Sequence, residues 1–159
     1  MKFCEVGDAK ELSVMARDIW MEYYSTFLDA DLPNYVVTRF QSEEAIIEQM
    51  HHGYLYSFIM DGDAKVGYLC IVPEDDSLFM SKLYLYKDSR GNGLGSKALD
   101  DILEEGRARK KKRVYLRVNK YNTASMKVYQ RKGFVVAEDI YEDIGDGFFL
   151  DDYLMEYRF

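Results

Sequence analysis

The stretch KDSRGNGLGSKAL, residues 87–99, places three glycines, Gly91, Gly93 and Gly95, directly before a segment with helical periodicity. Glycine costs the interior of a helix about 1 kcal/mol relative to alanine, so three of them at the start of a helix need another explanation. Positions that lack a side chain let backbone N–H groups close on a ligand, and the N-terminus of a helix favours negative charge. The stretch therefore predicts a turn that binds a phosphate-bearing molecule.

Three phosphate-binding patterns can be compared with this stretch. The dinucleotide fingerprint GxGxxG fails because Ser96 stands where its third glycine is required. The P-loop pattern GxxxxGK[ST] fails at two positions, because Ser96 replaces its second glycine and Ala98 replaces its Ser or Thr. The third pattern, Arg or Gln followed by x-x-Gly-x-Gly/Ala, is satisfied in full by residues 90–95. We therefore interpret the stretch as this third pattern.

The rest of the chain supplies the secondary structure around that turn. The 159 residues are 48% hydrophobic, enough for a sizeable core, and we expect a single domain over residues 1–159. Hydrophobic periodicity predicts the order strand, two helices, three strands, helix, strand, helix and two strands. Consecutive paired strands followed by a crossover imply an α/β (α+β) fold, with a mixed sheet and helices on both of its faces.

Local signals place the first elements of this order. The segment MKFCEV, residues 1–6, reads as the first strand. Asp8 is expected to cap the first helix, whose apolar stripe continues to Phe27. Residues 28–35 are expected to form a loop, and Ser42 is expected to cap the second helix.

A second motif, NTASMKVYQRKGF at residues 122–134, follows the glycine turn after one helix and one strand. Asn122 is placed to cap a helix, and Tyr129 falls on the apolar face of that helix. Gly133 is placed to end the helix in the left-handed conformation. The two motifs, in this order and after a long apolar strand, resemble the GNAT superfamily of acetyl-CoA-dependent N-acetyltransferases over residues 78–134.

The resemblance implies both a fold and a cosubstrate. It implies a GNAT-like mixed, mostly antiparallel sheet of about seven strands flanked by about four helices. It also implies acetyl-CoA as cosubstrate and no metal, with the diphosphate on the glycine turn and a backbone N–H of residues 83–85 facing the oxyanion. The residues expected to bind the cosubstrate are Leu83, Tyr84, Leu85, Arg90, Gly91, Asn92, Gly93, Leu94, Gly95, Ser96, Asn122, Lys127 and Arg131.

The resemblance further implies that Tyr129 faces the cosubstrate sulfur and protonates the leaving thiolate. A thiol has a pKa of about 8.5 and tyrosine of about 10, so the transfer is uphill by roughly 2 kcal/mol. Cys4 and Cys70 lack a nucleophile setting, which favours direct attack by the amine in a ternary complex. The general base stays open, because residues 77–86 contain no acid. The nearest polar groups for a water relay are Glu74, Asp75, Asp76 and Asn119.

In this fold the first two helices and the closing hairpin, here residues 134–159, frame the acceptor site. Their composition therefore indicates the class of acceptor. An acidic, tyrosine-rich rim suits a polycation, and an exposed tyrosine contributes about 0.5–1 kcal/mol of cation–π attraction. The segments YYSTF, LFMSKLYL and DDYLMEY also resemble bacterial polyamine-acetylating members. We expect a small-molecule amine such as a polyamine, although a solvated acidic surface explains the same composition. The acidic residues are Glu22, Asp29, Asp31, Glu43, Glu44, Asp139, Glu142, Asp143 and Asp146.

Charge and hydropathy exclude several other partners. A formal net charge of −7 disfavours nucleic acid and anionic membranes, and no apolar run approaches the ~20 residues that span a bilayer. The N-terminus lacks a signal-peptide pattern, so we expect a cytoplasmic protein. The basic run RARKKKR, residues 107–113, is expected to be a solvated helix end. The closing strand, residues 148–159, offers an edge through which a homodimer can form.

Two other functions remain open from the sequence. One is a non-catalytic, acyl-CoA-binding regulatory module of the same fold, against which Tyr129 argues because such a module needs no acid. The other is an acetyltransferase that acts on a protein or peptide amine.

Overall fold

The computed structural model of the protein describes residues 1–24, 26 and 31–159. The strands of this part are β1 (Leu55–Asp61), β2 (Ala64–Pro73), β3 (Ser77–Leu85), β4 (Arg113–Asn119), β5 (Val135–Gly145) and β6 (Phe148–Arg158). The helices are α1 (Ala9–Tyr24), α2 (Asp31–Phe40), α3 (Glu43–His51), α4 (Leu94–Ala108) and α5 (Thr123–Lys132). The strands form one sheet in the order β1-β2-β3-β4-β6-β5. Only β3 and β4 are parallel, so the sheet is mixed and mostly antiparallel, as predicted.

Helices cover both faces of the sheet, which confirms that part of the prediction. On the α4 face, α4 buries Leu99 and Ile102 against the strands, and α5 packs beside it. On the α1 face, the sheet packs against α1, α2 and α3. The alternation of β2 explains the division, because Leu69 belongs to the cluster on the α4 face whereas Tyr68 belongs to the cluster on the α1 face.

The numbers of strands and helices differ from the prediction. The described residues contain six strands rather than about seven, because residues 1–5 are not a strand. In that segment Cys4 N donates one backbone hydrogen bond, to Tyr56 O at 2.7 Å, and the chain then enters a 3₁₀ turn at Val6–Asp8. Asp8 does precede α1, but its carboxylate accepts the N–H of Glu5 at 2.9 Å and so serves that turn.

The segment expected to be a loop is partly helical, which makes five helices rather than about four. Residues 31–35 open α2, with Asp31 and Pro33 in the first turn. Both residue types are common at a helix start, because proline loses no helical hydrogen bond there and a carboxylate suits the positive end of the helix dipole. Phe27 and residues 28–30 of the predicted stripe and loop lie outside the described residues. Ser42 caps α3 as predicted, since its Oγ accepts the Ala45 N–H at 3.2 Å.

A β-bulge in β3 controls which side chains reach the site. Ile71 of β2 pairs with Met80, and Cys70 pairs with Lys82, so Ser81 has no partner on β2. The extra residue changes the alternation, because Met80 faces the α4 cluster and the next residue that does so is Leu83, three positions on. Lys82 therefore faces the α1 side of the sheet.

Among the described residues, none of the helices combines the length and the apolar character needed to cross a membrane.

Gly67 provides a test of the close approach between β2 and β3. Gly67 pairs with Leu85, and a Cβ atom at Gly67 would lie 2.2 Å from the Tyr84 carbonyl oxygen, a backbone atom. We expect Gly67→Ala to lower the free energy of unfolding by about 1–3 kcal/mol, as overpacking does, in urea denaturation. Gly7→Ala is the control, because a Cβ at Gly7 meets nothing within 4 Å. Equal losses for the two variants would contradict the packing explanation.

Candidate active site

The candidate site is a cleft where β3 and β4 separate. Their parallel pairing runs from Ser77↔Arg113 to Met80↔Leu116 and stops there, although β3 continues to Leu85 and β4 to Asn119. A cleft of about 730 Å³ opens beyond the last pair. It is lined by β3, the glycine turn, the start of α4, α5 and the end of α1. The predicted residues that line it are Leu83, Tyr84, Leu85, Arg90, Gly91, Gly93, Gly95, Ser96, Asn122, Tyr129 and Arg131.

The glycine turn owes its composition to the backbone conformation. Gly91 and Gly93 both have φ of +81°, in the left-handed region that favours glycine. A Cβ at either position meets no protein atom within 4 Å, so the two glycines face open space. Gly93 precedes the first residue of α4, and its carbonyl accepts the N–H of Lys97 at 2.9 Å. The first-turn N–H groups of α4 have no intrahelical acceptor and are available to an anion.

Arg90 fixes the glycine turn to its surroundings. Its Nε donates to the carbonyl oxygen of Leu85 at 3.0 Å, which ties the turn to the end of β3. Its guanidinium carbon lies 4.5 Å from the centre of the Tyr23 ring on α1. The arginine of the motif therefore has a structural role before any ligand is considered.

Asn122 joins the second motif to α1. Its Oδ1 accepts the Ser125 N–H at 3.3 Å, which confirms the predicted helix cap. The same oxygen accepts the Tyr23 hydroxyl at 2.6 Å, and its Nδ2 donates to the Tyr24 hydroxyl at 3.5 Å. Asn122 is buried and lines the cleft together with Tyr23 and Tyr24, so these contacts join the start of α5 to the end of α1 at the cleft.

Tyr129 lies on α5 and is half-buried at the edge of the cleft. Burial, with the nearby Tyr23, raises its pKa well above that of ordinary tyrosine, so its hydroxyl keeps its proton at neutral pH. Its ring lies 6.0 Å from that of Phe134, a fully buried core residue. Gly133, with φ of +105°, ends the helix in the left-handed conformation, as predicted.

Three of the predicted residues lie away from the cleft lining. Asn92 and Lys127 are exposed, and Leu94 packs at the edge of the core on the α4 face. Leu94 instead lines a separate cavity of about 490 Å³ beside the N-terminus and β1.

Several cleft residues were missed by the sequence prediction, notably Lys82 and Arg117. For Lys82 the sequence does carry a signal. The apolar residues Met80 and Leu83 are three apart in a strand whose period is two, which indicates a bulge and a change of face. For Arg117 no local pattern distinguishes a cleft residue from any other residue in a strand.

The predicted acidic rim is partly neutralised by ion pairs between β4 and the closing hairpin. Arg117 contacts Glu142 at 2.6 Å and Asp152 at 3.3 Å, and Lys120 contacts Asp139 at 2.7 Å and Asp151 at 2.9 Å. Burial raises the pKa of Asp152, against the opposing effect of the Arg117 charge. The network keeps a surplus of carboxylates over cations. Asp29 of the predicted rim lies outside the described residues.

Among the described residues, His, Cys, Asp and Glu side chains form no group that could hold a metal ion.

Comparisons with known proteins agree with this geometry. The family described as "Acetyltransferase (GNAT) family" matches residues 14–134 of the chain. The comparison with curated proteins finds no match. Because the family match covers most of the chain, the protein belongs to the GNAT family of acetyltransferases.

Solved structures show the same fold at low sequence identity. PaiA N-acetyltransferase from Thermoplasma acidophilum, in complex with coenzyme A, has a TM-score of 0.80 at 17% identity, covering 100% of both chains. Ribosomal-protein-alanine N-acetyltransferase from Brucella melitensis has a TM-score of 0.68 at 21% identity, covering 99% of this chain and 98% of that one. A GNAT family acetyltransferase from Elizabethkingia anophelis, with acetyl-CoA bound, has a TM-score of 0.59 at 16% identity, covering 72% and 82%.

The structural role of Asn122 can be measured through stability. We expect Asn122→Ala to lower the free energy of unfolding by about 1–2 kcal/mol, because α5 loses its cap and the hydroxyls of Tyr23 and Tyr24 lose a partner. Thermal or urea denaturation followed by circular dichroism measures the change. Asn122→Ser is the matched control, since serine also caps helices and should recover part of the loss. A fully stable alanine variant would contradict this role.

Proposed function

We propose that the protein transfers an acetyl group from acetyl-CoA to a primary amine of a small molecule, by direct attack in a ternary complex. The observation that carries the proposal is the cleft itself. It has an anion-binding helix start at one end, an unpaired strand edge along its side, and a neutral tyrosine at its wall. Family membership supports the acetyl transfer, and the coenzyme A and acetyl-CoA bound to structural relatives support the cosubstrate.

In this proposal the glycine turn binds the diphosphate of the cosubstrate. The left-handed turn at Gly91 and Gly93 leaves space, and the first-turn N–H groups of α4 supply the donors. The net charge of −7 does not oppose this binding strongly, because bulk charges are screened over roughly 10 Å whereas the donors are in contact. Arg131 of α5 lines the same cleft and adds positive charge, and Lys127, one turn earlier on α5 and exposed, adds to it.

The pantetheine arm is proposed to lie along β3 beyond Met80. Beyond Met80, β4 no longer pairs with β3, so the backbone N–H and C=O groups of residues 81–85 on that edge need other hydrogen-bond partners. The amides of pantetheine have the matching donors and acceptors. One N–H of residues 83–85 then lies near the thioester oxygen, where it stabilises the oxyanion of the tetrahedral intermediate.

The chemistry requires a neutral amine and a proton for the sulfur. An alkylammonium group resembles lysine, with a pKa near 10.4, so reaching its neutral form at pH 7 costs about 4–5 kcal/mol. Tyr129 is proposed to protonate the departing thiolate. Burial raises the pKa of Tyr129 and so makes proton donation more costly, but the thiolate in the same cleft is desolvated too, which raises the pKa of the thiol and offsets part of that cost.

A polyamine is the acceptor class that the surface supports best. The network around Arg117 and Lys120 retains more carboxylates than cations, which attracts a polycation to this end of the sheet. Thiol release can be measured with spermidine, spermine, an aminoglycoside and amino-acid amides. Thiol release with the aminoglycoside or the amino-acid amides, but with neither spermidine nor spermine, would rule out a polyamine acceptor and leave the acetyltransferase assignment intact.

Cosubstrate binding through the turn can be tested at Gly93. We expect Gly93→Ala to weaken CoA binding about tenfold in calorimetry, because a left-handed alanine costs about 1–2 kcal/mol and the turn relaxes away from its binding conformation. Gly147→Ala is the matched control. Gly147 has φ of +79° and open space around it, but it lies in the β5–β6 turn, away from the cleft. Equal weakening by both variants would contradict the assignment.

The acid role is tested with Tyr129→Phe. We expect a loss of about 10²-fold or more in kcat with little change in CoA affinity, since only the hydroxyl is removed. Stopped-flow thiol detection and calorimetry give the two quantities. An unchanged kcat would remove Tyr129 from the mechanism. Tight CoA binding by a wild-type protein that acetylates no amine would instead favour the regulatory module.

A further inference from the structure

Lys82 is a lysine on β3 with only 7% of its surface exposed. Buried lysines are rare unless they are paired with an acid. Among the residues that the structure describes, no carboxylate oxygen lies within 4 Å of its Nζ atom. The charge of this lysine therefore has no counter-ion, and its presence in the strand that lines the cleft needs an explanation.

The groups packed around Lys82 are all uncharged at neutral pH. From α3, Gln49 Oε1 accepts a hydrogen bond from Lys82 Nζ at 3.1 Å. The Nζ atom also lies 5.4 Å from the centre of the Tyr54 ring and 5.0 Å from that of Tyr56. From β2, Cys70 pairs opposite Lys82, and burial raises the pKa of its thiol to about 12. Burial also raises the pKa of both tyrosines.

This environment favours a neutral amine at Lys82. Burial lowers the pKa of Lys82, and among the described residues the opposing influence comes from Cys70, whose thiol is itself protonated and uncharged at neutral pH. The two tyrosine rings stabilise the ammonium once it forms, by cation–π attraction. Lys82 can therefore rest as a neutral amine and still accept a proton during the reaction.

The bulge connects this lysine to the cleft. Adjacent residues of a regular strand point to opposite faces, but the bulge brings the side chains of Ser81 and Lys82 together. Ser81 Oγ lies 3.4 Å from Lys82 Nζ. Both residues line the cleft next to Leu83, where the thioester carbonyl is proposed to lie. A proton that reaches the Ser81 hydroxyl can thus continue to Lys82.

We propose that Ser81 and Lys82 form the proton-accepting pair that converts the acceptor ammonium into the attacking amine. This inference rests on the proposed function. It supplies a base on β3, where the sequence has no carboxylate, and it places that base in the same cleft as Arg117, which pairs with Glu142 and Asp152.

The proton transfers balance over one turnover. An N–H bond of the ammonium breaks and its proton passes to Ser81 Oγ, while the hydroxyl proton of Ser81 forms the third N–H bond of Lys82. The freed lone pair attacks the thioester carbon, and the C–S bond breaks. Tyr129 gives its proton to the sulfur and regains one from the nitrogen as the amide forms. Lys82 then releases its proton to solvent, so one proton leaves per acetyl group transferred.

The decisive experiment compares acceptors of different basicity. We expect Lys82→Met to lower kcat/KM about 10²-fold for an alkylamine that is protonated at the assay pH, because the contribution of a general base is lost. For trifluoroethylamine, which is already neutral, we expect a change of less than about threefold, since no base is required. Ser81→Ala should show the same dependence with a loss of about tenfold for the alkylamine. An equal loss for both amines in either variant would assign that residue a merely structural role.

The pH profile gives an independent measurement. In the wild type, kcat/KM should rise as Lys82 loses its proton, below the usual lysine range because its pKa is lowered. In Lys82→Met, the rise in kcat/KM should instead follow the loss of a proton from the acceptor amine, whose pKa is about 10. Lys82→Arg keeps a long hydrogen-bonding side chain but stays protonated and cannot act as a base, so it should resemble the methionine variant. Full activity of the arginine variant would overturn the inference.

Two controls separate this inference from the proposed function. Lys65→Met removes a cation that lies 4.4 Å from the centre of the Phe58 ring, outside the cleft, and should leave both amines unaffected. Calorimetry with CoA should give the wild-type affinity for Lys82→Met, which shows that the variant folds. If the wild type acetylates no amine, the proposed function fails; if it is active and Lys82→Met is equally active, only the proton relay fails.

Discussion

The short parallel pairing between β3 and β4 is the constraint on which the site depends. It ends at Met80↔Leu116, and beyond it the two strands diverge while both continue. A diverging pair leaves backbone donors and acceptors without partners, and such groups must be satisfied by water or by a ligand. The glycine turn, the start of α4, the end of α1 and the face of α5 are all arranged around that opening.

In the proposed function, local donors rather than overall charge bind the cosubstrate of this acidic protein. The chain carries a net charge of −7, yet the start of α4 and the turn before it present N–H groups to open space. Tyr23 connects this turn to the second motif, since its ring lies against Arg90 and its hydroxyl donates to Asn122. The two sequence motifs are thus in physical contact with one helix end, although Arg90 and Asn122 are 32 positions apart in the sequence.

Much of the fold could be predicted, because the glycine turn, the cap at Asn122 and the helix end at Gly133 are each fixed by a local conformation. The first strand could not, because MKFCEV has the composition of a strand but finds one hydrogen bond on β1 instead of a ladder. The helical start at Asp31 was hidden by Pro33, which signals a loop and a helix start equally well. Lys82 was missed because the trace of the bulge in the sequence is limited to the three-residue spacing of Met80 and Leu83, and the face that Lys82 takes follows from the register of β3 with β2.

The bulge at Ser81 also limits how this protein can change over time. Removing or adding one residue between Met80 and Leu83 would exchange the faces of everything that follows in β3, burying a cation under α4 and turning leucines toward the opposite layer. Length changes within this strand are therefore excluded, whereas α1, α2 and the turn between β5 and β6 can vary in length without inverting a strand, so length differences that alter acceptor preference in descendants of this chain are expected there.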